Sequence, residues 1–114
     1  MIPWYASVVP SDPRHGEVIA WFRQNNRTVI TTDYVIDEAL YLLRARGERD
    51  RAIASGRYLL DLAGVNIHFI GEAQFRQAWA LFRDNPGRDW SFTDCASKVV
   101  IERTRQRRDA FYLK

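Results

Sequence analysis

Apolar and polar residues alternate along this chain in two rhythms. In "DYVIDEALYLLRARG", Val35, Ile36, Ala39, Leu40, Leu42 and Leu43 recur at helical spacing on one broad face, and Gly47 ends the segment. "EAQFRQAWALFRDN" repeats the rhythm with Phe75, Ala78, Trp79 and Phe82, and Pro86 and Gly87 halt it. Three more segments predict helices. "SDPRHGEVIAWFRQNN" opens on Asp12 as a cap before Pro13, "RDRAIASGRYLLDLAG" stops at Gly64, and "SFTDCASKVVIERTRQRR" is the last. Between them lie the short apolar runs "RTVITT", "VNIHFI" and "DAFYL", rich in β-branched and aromatic residues, which predict strands.

The predicted order is a helix, then strand, helix, helix, strand, helix, helix, strand. Short buried strands separated by helices imply a parallel sheet covered on both faces, a three-layer α/β sandwich. In such sheets a site lies beyond the carboxyl ends of the strands. The 114 residues suit a single domain, 1–114, and 46% hydrophobic content argues for a packed core and against disorder. No internal repeat or low-complexity linker divides the chain.

"MIPWYASVVP" reads as a strand-to-helix junction whose strand is missing. Pro3 suits a helix start, where its absent N–H costs nothing. Met1, Ile2, Trp4 and Tyr5 are large and apolar with no polar lead-in.

Several kinds of chemistry are excluded or weakened. No glycine-rich phosphate cradle is present. His15 and His68 stand apart, with His68 expected in a strand and His15 exposed in the first turn of a helix. Cys95, the single cysteine, has no histidine nearby in sequence and is expected in the core; alone, it allows no internal disulfide, which suits a reducing compartment. No apolar run is long enough to cross a bilayer, and no signal peptide opens the chain, so a cytoplasmic protein is expected.

Charge is uneven. The chain carries a net +3, yet residues 98–114 hold six basic residues against two acidic ones. Arg103, Arg105, Arg107 and Arg108 crowd the end of the last helix. Such a patch attracts a phosphate backbone. It equally suits a solvated helix end, where positive charge meets the helix dipole.

Two carboxylates stand out. Glu38 falls in the second turn of the helix after "TVITT", beside Leu42 at the margin of the apolar face. It reads either as an ordinary boundary glutamate or as a site residue near a strand's carboxyl end. Asp94 follows Ser91 by three residues at a helix start, the spacing of a capping box. A carboxylate there also stays ionised, the form that Mg²⁺ or Mn²⁺ takes as an oxygen ligand.

Taken together, "ITTDYVIDEALYLLRARG" and "RDWSFTDCASKVVIER" resemble the PIN-domain family, and within it the VapC-type toxins. The matched features are Thr-Thr-Asp at a strand end with Glu38 five residues after Asp33, then Asp-Trp-Ser-x-x-Asp-Cys opening a helix. "WYASVVPSDPRH" is similar to the family's first helix and the turn after it. The resemblance runs over nearly the whole chain. It implies a three-layer α/β/α, Rossmann-like parallel sheet and a metal-dependent endoribonuclease. Such an enzyme is the toxin of a toxin–antitoxin pair, inhibited when its cognate antitoxin binds. It further implies Mg²⁺ or Mn²⁺ held by Glu38 and Asp94, which are then the catalytic residues. Ser91 would support a metal-bound water or a neighbouring carboxylate, and the arginines at 103, 105, 107 and 108 would hold RNA.

The chain departs from the pattern at both ends. The family's opening strand ends in an aspartate, which would stand ahead of Met1, and Lys114 stands near the position of a further acid. The first strand is therefore expected to be missing, through a shortened reading frame or a truncation. A gap left in the sheet would call for a homodimer, a borrowed strand or tolerance of marginal stability. Two function classes follow. One is an RNA-cleaving toxin. The other is a catalytically degraded PIN domain that binds RNA or an antitoxin.

Overall fold

The computed structural model describes residues 3–24, 28–61, 65–104 and 110–114. Helices α1 (Trp4–Val8) and α2 (His15–Gln24) precede strand β1 (Thr28–Thr32), which leads into α3 (Asp33–Ala45) and α4 (Arg49–Asp61). Strand β2 (Val65–His68) is followed by α5 (Glu72–Asp84), α6 (Phe92–Thr104) and β3 (Ala110–Tyr112). The three strands form one parallel sheet in the order β2-β1-β3.

Alternation along β1 sorts the two faces, because neighbouring strand residues point to opposite sides. Val29 packs with Ile36, Leu59 and Leu113, and Trp4, Phe22, Leu40, Val65 and Ile67 close around them. Ile30 packs on the other side with Val100 and Tyr112. Helices α3 and α4 thus cover one face and α6 the other. Behind α6, the side chains of Cys95, Ala96 and Val99 meet Ala78 of α5. The result is the expected three-layer α/β/α sandwich.

The sheet differs from the expectation in one respect. A missing first strand was expected to leave unpaired backbone groups on its neighbours in the sheet. Instead β3 pairs directly with β1, Val29 opposite Phe111 and Ile30 opposite Tyr112. The ladder runs one residue further, with the Leu113 N–H donating to the Ile30 carbonyl at 2.7 Å. From Thr28 to Ile30 the backbone of β1 is therefore paired on that side within the chain.

Helix α1 has no side-chain cap at Pro3. Its Trp4 N–H donates instead to the Lys114 carbonyl at 2.8 Å, so the end of β3 satisfies a donor that a helix start leaves free. Arg51 of α4 donates to the Val8 carbonyl at 3.1 Å, and Val9, Leu43 and Ala52 pack where α1, α3 and α4 meet.

Element boundaries moved where turns intervene. Helix α2 begins at His15, because Asp12 accepts the Arg14 N–H at 2.8 Å in a local turn through Pro13. Gly47 ends α3 with φ at 77°, a left-handed conformation that glycine adopts without strain. The stop at Gly64 lies outside the described residues. His68 closes β2 as expected, and its Nε2 lies 2.7 Å from Gln74 Oε1. His15 is half-buried, contrary to the exposed position expected of it, since its Nδ1 lies 2.8 Å from the Ala6 carbonyl and ties α2 to α1. Among the described residues no helix is long and apolar enough to cross a membrane.

Candidate active site at the carboxyl edge of the sheet

The run Thr31-Thr32-Asp33 closes β1 and opens α3, and each residue makes a different connection. The buried Thr31 Oγ1 donates to the Leu113 carbonyl at 2.9 Å, binding β3 to β1. Thr32 caps α3, its Oγ1 accepting the Val35 N–H at 3.2 Å. Asp33 Oδ1 accepts the Ile70 N–H at 3.0 Å and anchors the segment that leaves β2. Strand ends 37 residues apart in sequence are joined this way at one edge. Asp33 was visible in the sequence as an acid, but its partner was not, because the contact is long-range.

Glu38 sits one turn further along α3, half-buried, with no hydrogen bond or ion pair to the described residues. Leu42, one turn on, is half-buried as well, so both stand at the margin of the apolar face.

Asp94 lies in the first turn of α6. Its Oδ2 accepts the Ser91 N–H at 3.0 Å, and its own N–H donates to Ser91 Oγ at 3.0 Å. This is a reciprocal capping box that fixes the carboxylate against the helix start. The Oδ1 atom faces β3, where the Lys114 Nζ lies 3.0 Å away. Burial pushes the Asp94 carboxyl up, but the Ser91 N–H and the Lys114 ammonium together outweigh it and hold it below the usual aspartate range. Asp94 is therefore ionised at neutral pH.

Deeper in the site are two buried hydroxyls, Ser97 Oγ and Tyr112 Oη, close to one another and to the Thr32 hydroxyl. Burial raises the Tyr112 phenol, the hydroxyls of Ser97 and Thr32 beside it oppose the rise, and Asp33 adds to it. Cys95 is buried in the core as expected. Burial pushes its thiol up, Asp94 adds to the rise and Lys98 opposes it, which is the reverse of an activated nucleophile.

The donor set does not fit a preformed divalent-cation centre. Among the described residues no three of His, Cys, Asp and Glu come together to hold a metal, so neither Glu38 nor Asp94 belongs to such a cluster. Asp94 spends one oxygen on the Ser91 N–H and the other on an ammonium. Of the basic patch, Arg103 is described. It is exposed near the end of α6 and lines a groove of about 580 Å³ between α5 and α6 with Gln77, Lys98 and Glu102. Arg105, Arg107 and Arg108 lie outside the described residues.

The parallel three-layer sandwich fits the PIN-type fold, as a solved structure shows. The chain superposes on the crystal structure of VapC20 from Mycobacterium tuberculosis, described as a sarcin–ricin loop cleaving toxin. The TM-score is 0.81 at 24% identity, covering 92% of this chain and 84% of that one. At this identity the likeness is one of fold. No protein-family model and no curated protein matches the chain in sequence.

Proposed function

We propose that this chain is a VapC-type endoribonuclease toxin that cleaves RNA phosphodiester bonds in the cytoplasm and is restrained by a cognate antitoxin. The observation that carries this reading is the superposition over 92% of the chain on a protein described as a sarcin–ricin loop cleaving toxin. Three further features agree with it. The ionised Asp94 stands at the carboxyl edge of the sheet, where the fold expects chemistry. Glu38 is unengaged among the described residues and near a strand end. Arg103 adds positive charge at the end of α6, suited to a phosphate backbone.

In this reading Asp94 and Glu38 are the catalytic carboxylates, and Ser91 fixes the Asp94 side chain through its N–H. PIN-type enzymes employ Mg²⁺ or Mn²⁺, but the described donor set is short of carboxylates, so no catalytic step is drawn through a metal. The test is cleavage of a structured RNA by the purified chain with and without Mn²⁺, beside Asp94→Asn and Glu38→Gln. Loss of cleavage in both variants supports the reading. Unchanged cleavage in both removes these residues from the reaction.

A second reading has its own observation. The Lys114–Asp94 ion pair leaves the carboxylate neutralised from within the chain. That suits a degraded PIN domain that binds RNA or an antitoxin without cutting. It predicts no cleavage but retained RNA binding that weakens steeply with salt.

A further inference from the structure

The end of β3 brings a lysine onto Asp94, the carboxylate that the proposed function makes catalytic. Its backbone is held on three sides: the Leu113 N–H donates to Ile30, Thr31 Oγ1 donates to the Leu113 carbonyl, and the Trp4 N–H donates to the Lys114 carbonyl. The end of the strand thereby abuts the start of α1. From there the Lys114 side chain reaches Asp94 Oδ1 at 3.0 Å, with 35% of the lysine side chain and 25% of the aspartate side chain exposed.

We infer that Lys114 is a built-in cation that occupies the metal-facing oxygen of Asp94 and suppresses divalent-metal binding. The chemistry is competitive. Asp94 Oδ2 is engaged by the Ser91 N–H, so Oδ1 is the oxygen freest to take a metal. A hard divalent cation must approach a carboxylate oxygen to about 2.0–2.1 Å. An ammonium on that same atom blocks the approach sterically, and the two positive charges repel one another. The lysine cannot drift far, because its backbone is part of the sheet and of the α1 cap. The usual relation is therefore inverted: where the family's pattern has an acid that recruits metal, this chain has a base that replaces it. In its folded form the chain is therefore a low-metal state. This inference rests on Asp94 being the metal-facing carboxylate of the proposed function.

The experiment is calorimetric titration of the full chain with MnCl₂, without RNA. Wild type, Lys114→Gln, Lys114→Arg, Asp94→Asn and the Lys114→Gln/Asp94→Asn double variant are compared. The Lys114 carbonyl that caps α1 is backbone, so these substitutions keep it, and circular dichroism checks each fold. Wild type and Lys114→Arg are expected to bind Mn²⁺ weakly and alike. Lys114→Gln is expected to bind about two- to fivefold more tightly, and the double variant to lose that gain. The inference is overturned if Lys114→Gln binds no more tightly than wild type. It is also overturned if the gain survives without Asp94, or if wild type already binds tightly through Asp94. Because no RNA is present, this result is separable from the ribonuclease reading. A metal gain in Lys114→Gln with no RNA cleavage by any variant would sink the enzyme and leave the built-in cation standing.

Discussion

Replacing Ser91 by alanine removes one hydroxyl from the start of α6, and the structure sets the size of the effect. Ser91 Oγ accepts the Asp94 N–H at 3.0 Å, so the Ala variant leaves that donor to solvent. The reciprocal bond, from the Ser91 N–H to Asp94 Oδ2, uses backbone and survives chemically, but it loses the partner that holds its geometry. Loss of such a cap costs about 1 kcal/mol, within a range of about 0.5–2. Unfolding entropy of about 2.1 cal/mol/K per residue gives roughly 0.24 kcal/mol/K for a chain of 114 residues. The expected fall in Tm is therefore about 4 °C. Helix α6 carries Cys95, Ala96, Val99 and Val100 into the core, so fraying at its first turn is felt by the whole fold. Thermal unfolding followed by circular dichroism reads the shift, with Ser91→Thr as a control that keeps a capping oxygen. If Ser91→Ala melts with wild type while Ser91→Thr also matches it, the capping box contributes nothing and the placement of Asp94 must be explained otherwise.

Two other outcomes follow from the packing and the charges. Leu43 is fully buried against Val9 and Ala52, so Leu43→Ala is expected to cost about 2–5 kcal/mol in urea unfolding; a loss well under 1 kcal/mol would mean α1 does not seal that junction. Asp94 is held below its ordinary range in the folded state, so its contribution is full above the unfolded value of about 3.9 and is lost as pH falls through the lower folded value. The stability gap between wild type and Asp94→Asn should therefore be widest near neutral pH and close in acid, modestly because the pair is partly exposed. A gap that is the same at both pH values would contradict the ion pair.

Local pattern carried the elements, and long-range pairing carried most of what it missed. The helical spacing of Val35, Ile36, Ala39 and Leu43 and the β-branched "TVITT" predicted α3 and β1 because each depends on neighbours a few residues away. The same holds for the capping box, since Ser91 and Asp94 are three residues apart. Strand order does not have that property. Nothing in "DAFYL" says that it pairs with "TVITT" 82 residues earlier, so a gap was expected where β3 in fact lies. The Asp33 bond to Ile70 and the Lys114 bond to Asp94 were hidden for the same reason. The sequence showed a lysine near the position of an expected acid. Only the fold showed that its charge is spent on the remaining aspartate.

The central claim is that an RNA-cleaving site lies at the carboxyl edge of this sheet and depends on Asp94. The most direct measurement incubates a sarcin–ricin-type RNA stem-loop with purified wild type and Asp94→Asn at millimolar Mn²⁺ and resolves the products by gel. The account predicts discrete cleavage by wild type and none by Asp94→Asn. Equal cleavage by both proteins, or intact RNA bound by both, would contradict it.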